Sequence, residues 1–145
     1  MARYSLANYI LSIKPNDPAL SAFGEVTVGG EGNYHDSITI SIDATMFSTT
    51  GYATGAWVHN KNLSKVGTAS VSLSQLSDQV AKFIQFAKLF YSGDYDGFTI
   101  SLTANDGTPV AYCHDCYFTK IPDQSFGENA AMQTWTLTCG EVDFQ

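Results

Sequence analysis

Charge is scarce in this 145-residue chain: Asp, Glu, Lys and Arg make up 14% of it, against a typical ~25%. Only 7 residues are basic, too few for the Lys/Arg stripe of a nucleic-acid-binding surface, and 14 acidic residues leave a net charge of -7. No apolar run approaches the ~18–20 residues of a membrane helix. The opening stretch Met1–Pro15 is broken by Asn8, Ser12 and Lys14, so neither a membrane span nor a signal peptide is expected, and the chain reads as cytoplasmic. Cysteine is sparse and odd in number: Cys113, Cys116 and Cys139. A secreted fold of this size would more often carry an even set, so reduced thiols are expected. Ser, Thr, Asn and Gly fill the space left by charge, beside 44% hydrophobic and 13% aromatic residues. That balance excludes intrinsic disorder. It supports one core without staples, and residues 1–145 read as a single domain.

Alternation of period two dominates the pattern. Ser37–Asp43 places Ile at every even position and Ser, Thr or Asp at every odd one. The same design recurs in Ser70–Ser74, Phe98–Thr103 and Thr134–Cys139. Further strands are expected at Tyr4–Ile13 and, less regularly, Val110–Thr119, with Asn105-Asp106-Gly107 as the turn of a hairpin over 98–117. The chemistry predicts a mainly β fold with one α-helix, an antiparallel β-sandwich or barrel. The helix is read from Leu76, Val80, Phe83, Ile84, Ala87 and Phe90 at three- and four-residue spacing. Ser74 or Ser77 would cap its start and Ser92-Gly93 would supply a left-handed stop. Two stretches, 15–36 and 46–67, lack any period and read as long loops or arms, a length usually reserved for function. The second, with Tyr52, Trp57 and Val58, is a candidate interaction arm.

Candidate chemistry is thin. Cys113-His114-Asp115-Cys116 supplies half of a thiolate zinc site, but a second pair is missing, although Cys139, His35 or His59 could converge on it. On a regular strand, positions 113 and 116 point to opposite faces, and no helix follows to activate a redox thiol pair. Asp94-Tyr95-Asp96-Gly97 has Phe98 where a calcium loop needs oxygen, so a helix-to-strand turn explains it. Gly29-Gly30-Glu31-Gly32 lacks the Lys-Ser/Thr and the helix of a phosphate cradle. A carboxylate pair for glycoside cleavage drawn from Asp94, Asp96, Asp123 and Glu128 has no support in the pattern, and Ser125 has no nucleophile motif around it. No cofactor or metal is called for, and nothing forms a convincing enzyme. The Ser/Thr faces are polar yet almost uncharged, which is unusual in open solvent, where Lys and Glu dominate. Such faces suit a lining or an interface, and they equally suit the solvent face of an ordinary sandwich.

The stretches KIPDQSFG (Lys120–Gly127) and TWTLTCG (Thr134–Gly140), with YSLANYILSI (Tyr4–Ile13) as an opening strand, resemble the tail tube proteins of contractile-tailed bacteriophages. The order strand, long loop, alternating strands, helix, hairpin and final strand is similar over most of the chain, fading across 15–35 and 46–66. The resemblance implies a structural virion protein whose subunits form hexameric rings. The rings stack into a hollow inner tail tube inside a contractile sheath, and DNA passes through the lumen during ejection. It further implies self-association together with sheath, baseplate, tail-terminator and tape measure partners, no membrane, and assembly in the host cytoplasm into the virion tail. In that frame Ser37, Thr39, Ser41 and Asp43 face the lumen, with Ser70, Ser72, Thr99, Ser101, Thr134 and Thr136 as companions. Tyr52, Trp57, Lys61 and Lys65 make inter-subunit contacts. The competing readings are a related tail terminator, baseplate tube or secreted hexameric tube, and a monomeric ligand-binding β-sandwich stacking its ligand on Tyr52, Trp57 and Tyr95.

Overall fold

The computed structural model describes residues 4–5, 8–29 and 35–145, apart from the side chains at 21–23 and 35–36. The four alternating runs lie in β3 (His35–Ile42), β6 (Gly67–Ser74), β7 (Phe98–Ala104) and β9 (Met132–Phe144). The expected hairpin joins β7 to β8 (Pro109–Phe118) across Asn105-Asp106-Gly107. Strand β1 is Tyr9–Pro15, starting later than expected, with Tyr4 and Ser5 outside it. With β2 (Val26–Gly29) these form one antiparallel sheet in the order β2-β1-β7-β8-β9-β6-β3.

Two stretches expected to be loops carry structure. Within 15–36 a short 3-10 helix, Pro18–Phe23, begins where the Asp17 carboxylate accepts the Ala19 N–H at 2.8 Å, and β2 follows. Val26-Thr27-Val28 alternates too briefly to stand out from its surroundings. The glycine turn at 30–32 lies outside the described residues. Within 46–67, β4 (Phe47–Gly51) and β5 (Trp57–Lys61) pair as a two-stranded hairpin.

Each long strand of the sheet turns its apolar set to one side. Leu11, Ile13, Val26, Val28, Ala69, Val71, Leu73, Ile100, Trp135 and Leu137 are all buried in a single cluster. Helix α1 (Asp78–Ser92) covers that side with Val80, Phe83, Phe86 and Ala87. Phe83 meets Trp135 and Phe118, each at 5.5 Å between ring centroids, and Phe86 meets Phe98 at 5.2 Å in an edge-on packing. Each such ring buries ~150–250 Å² and gains a further ~0.5–1.5 kcal/mol from ring geometry, so this aromatic seam holds the helix on the sheet. The sheet curls as it does so. Ile38 of β3, on one edge, lines a cavity of about 220 Å³ together with Tyr9, Leu102 and Val110 of β1, β7 and β8. The result is a half-barrel, and its two edge strands, β2 and β3, are not joined to each other.

The helix differs from expectation at both ends. Leu76 stands before the N-cap and is exposed, because the chain between β6 and α1 turns at Gln75-Leu76. Ser77 is the N-cap with extended backbone, and its hydroxyl donates to Gln79 Oε1 instead of capping a main-chain N–H. Gly93 is extended at φ -161° rather than left-handed, and its N–H closes the last turn on the Leu89 carbonyl at 3.0 Å. The stop therefore does not depend on positive φ.

Candidate assembly surfaces

The side of the sheet turned away from α1 is a field of short hydroxyls. Antiparallel register sets Ser37 opposite Ser72, and Ser72 opposite Thr134. The next rows are Thr39, Ser70 and Thr136, then Ser41, Thr68 and Thr138. Same-face neighbours across an antiparallel pair lie ~4.5–5.5 Å apart, close enough for Ser72 and Thr134 to share a hydrogen bond of 2.9 Å. Asp43 ends the β3 row, and its carboxylate accepts the Thr68 hydroxyl at 3.1 Å. Eight of the ten hydroxyl-face candidates thus form one patch on β3, β6 and β9. Thr99 and Ser101 stand on the same side of β7, separated from that patch by β8, and Thr99 donates to Asn16 Oδ1 at 2.7 Å.

Among the described residues, no strand pairs with the β3 edge beside this patch. Ile38–Ile42 carries neither Pro nor Lys, the residues with which monomeric sheets guard a free edge against pairing.

The β4–β5 hairpin is a separate two-stranded sheet reached from β3 and β6 through two backbone hydrogen bonds. Beyond the Ile42–Gly67 pair, the Asp43 N–H reaches the Val66 carbonyl at 3.0 Å, and the Asn62 N–H reaches the Met46 carbonyl at 2.9 Å. Gly67 is where this arm leaves the body. A Cβ there would stand 2.1 Å from the Ser41 carbonyl oxygen and 2.5 Å from Val142 Cγ2, so only glycine allows β3, β6 and β9 to come together at that point. At the tip, a turn from Tyr52 to Gly55 closes with the Gly55 N–H on the Tyr52 carbonyl, and Gly55 takes φ +89°. Every residue of β4 and β5 is exposed. Register puts Phe47, Thr49, Trp57, His59 and Lys61 on one face of the hairpin and Ser48, Thr50, Val58 and Asn60 on the other. Thr49 and His59 hydrogen-bond across the first face at 2.8 Å. Trp57 is 67% exposed and Phe47 50%, and a lone hairpin is marginal in water without something to cover it. Tyr52 is in the turn, and Lys65 lies on the return stretch to β6. Residues 44–66 hold Lys61 and Lys65 and no acid, against a whole-chain charge of -7.

Other candidates separate. Tyr95 is half-buried and stacks edge-on against Phe90 at 5.8 Å, in the turn between α1 and β7, away from the arm that carries Tyr52 and Trp57. Asp94-Tyr95-Asp96-Gly97 is that helix-to-strand turn, tied down by the Asp96 N–H on Asp17 Oδ2 at 3.1 Å. Among the described residues no group of three or more His, Cys, Asp or Glu side chains is arranged to hold a metal ion. Cys113 and Cys116 do not point to opposite faces. Asp115 takes φ +56° and breaks the alternation, so both sulfurs are buried, and Cys139 joins them. No periodicity signal forecasts such a break, since it needs one residue in the left-handed region.

The family described as the bacteriophage PhiTE tail tube protein matches residues 1–145. Among solved structures, a chain of the sheath–tube complex of a PVC extracellular contractile injection system, in its extended state, has a TM-score of 0.60 at 17% identity. That match covers 99% of this chain and 91% of the other. The sheath/tube terminator of the same system aligns at TM-score 0.57 and 18% identity, over 100% and 98% of the two chains. The anti-feeding prophage tube-terminating cap aligns at 0.55 and 16%, over 100% and 93%. At such identities the likeness is one of fold. Comparison with curated sequences finds no significant match.

Proposed function

We propose, from the premise that this chain belongs to the bacteriophage PhiTE tail tube family, that it is the ring subunit of a hollow tail tube: six copies close each ring, rings stack, and DNA passes through the lumen during ejection. The family is structural, and the chain is a structural component of the virion tail. The observation that carries the finer reading is the union, on one sheet, of a nearly uncharged hydroxyl patch with an unguarded β3 edge. Six half-barrels joined through such edges make a continuous barrel, which leaves no edge exposed.

The lumen wall is then the face of Ser37, Thr39, Ser41, Asp43, Ser70, Ser72, Thr99, Ser101, Thr134 and Thr136. Short neutral hydroxyls let a polyanion slide without ion pairing, and a net charge of -7 on every copy opposes its capture. The arm, with Tyr52, Trp57, Lys61 and Lys65, contacts a neighbouring copy, aromatics anchoring and lysines meeting the acidic body. The solved relatives belong to sheath–tube, cap and baseplate assemblies, which supports sheath, terminator and baseplate contacts here. Tape measure protein and DNA occupy the lumen in turn, and assembly takes place in the host cytoplasm from one tail-tube domain per chain.

A second reading, a tube terminator, is favoured by the two terminator-type neighbours. Light scattering and negative-stain imaging of the concentrated protein, alone and with preformed tube ends, separate the two. Stacked rings with a central channel support the tube subunit. Single rings that cap tube ends without growth support the terminator. A monomer under both conditions overturns both.

A further inference from the structure

We propose that Cys116 and Cys139 are a latent cross-strand disulfide site, reduced until an oxidant of the peroxide class reaches the core. This inference is independent of the tube reading. The two residues stand directly opposite in the β8–β9 register. Opposed residues of an antiparallel pair have Cα atoms ~4.5 or ~5.5 Å apart, depending on pair type, and both values lie in the ~4.4–6.8 Å window of a disulfide. The backbone therefore already has the spacing, and the sulfurs are 3.1 Å apart. Closure to a bond of ~2.05 Å needs only side-chain rotation and small relief of the strands.

Both thiols are kept protonated at neutral pH. The Cys116 proton is held well above its ordinary range, first by the hydrogen bond to Cys113, then by Cys139 and by burial. Cys139 is pushed up to about 12, chiefly by its interaction with Cys113, with burial adding to it. Both side chains are fully buried, which excludes bulky disulfide reagents and admits a small neutral oxidant when the strands open locally. Where local opening lets one of the two sulfurs shed its proton, the thiolate attacks a peroxide oxygen and the O–O bond breaks; with that proton taken up, a sulfenic acid and water result. The second thiol then displaces that oxygen, forming the S–S bond and releasing a second water. Two thiols and one peroxide give one disulfide and two waters.

The bond would close the chain between β8 and β9 across the largely exposed stretch 119–131, tying both ends of that segment together. The test uses the folded full-length chain, treated with hydrogen peroxide, quenched, unfolded in alkylating agent and mapped by mass spectrometry, with Cys113→Ser in parallel. The expected result is the loss of two hydrogens, a single linked peptide pair containing Cys116 and Cys139, alkylated Cys113 and reversal by a thiol reductant. The thermal midpoint should rise by about 10 °C, and Cys113→Ser should behave alike. A bond that includes Cys113, oxygen adducts without a link, or three alkylated cysteines would overturn the proposal. If Cys113→Ser does not fold, the map of the unsubstituted chain decides.

Discussion

Trp57→Ala isolates the arm from the body that carries it. The Trp57 side chain is 67% exposed and its register partner is Gly51, which offers it no side chain. Its removal should leave the free subunit within ~0.5 kcal/mol of the parent, as for other surface substitutions away from packed contacts. In an assembled tube the same indole would bury on the order of 150 Å² more. At ~25 cal/mol per Å² this is an upper bound of about 4 kcal/mol, and buried tryptophan anchors typically cost ~2 kcal/mol or more on truncation. A loss of ~2 kcal/mol per contact raises the concentration for assembly about 30-fold. The assay pairs urea unfolding of the dilute protein, where the midpoint should not move, with light scattering against concentration, where the onset should. Assembly at the parental concentration refutes the arm as an anchor. A loss of more than ~1 kcal/mol in the dilute protein refutes its independence from the body.

Phe83→Ala removes the ring wedged between Trp135 and Phe118 and should destabilise the subunit by ~3–5 kcal/mol in denaturant unfolding. Gly67→Ala forces a Cβ into the Ser41 carbonyl, and a loss of ~1–3 kcal/mol is expected, with hydrogen exchange rising first at the β3–β6 junction. Asp106 is held below its ordinary value of 3.8 by the Thr108 N–H. Its stabilising effect is present above that value and is lost as pH falls through the lowered one, so NMR titration should place its midpoint below 3.8. Thr39→Lys adds a cation to the hydroxyl face. Tubes built from it should retain short DNA at low salt and release it at high salt, whereas unchanged DNA passage would remove Thr39 from the lumen wall.

The parts legible in the sequence are those where one side of an element is buried. Ile38 and Ile40 against Ser37 and Thr39, or Trp135 and Leu137 against Thr134 and Thr136, betray their strands because the core selects every second residue. Val80, Phe83 and Ala87 betray the helix for the same reason at its own period. The β4–β5 hairpin leaves no such signal because neither of its faces packs on the body. Thr49 and His59, and Thr50 and Asn60, answer to cross-strand hydrogen bonds, and these leave no hydrophobic rhythm. Its aromatic content still marked it as an arm. Residues 113 and 116 share a face because Asp115 departs at a single φ from the uniform backbone that a period assumes. Gly93 misled in the opposite sense, since a glycine at a helix end suggests positive φ and this one is extended. The hydroxyl candidates were found from alternation alone, but their assembly into rows required the register, which no strand contains by itself.

The attachment of the arm to β3 and β6 at once has a mechanical consequence. A pull on the arm along its length loads β3 and β6 together, so the rungs between them carry little of it. The force passes instead into the β6–β9 ladder, which spans Gly67 to Ser74. There the load acts along the strands, so every rung shares it at once in shear and none peels open singly. An arm rooted in this way can be pulled without unravelling the sheet that holds it.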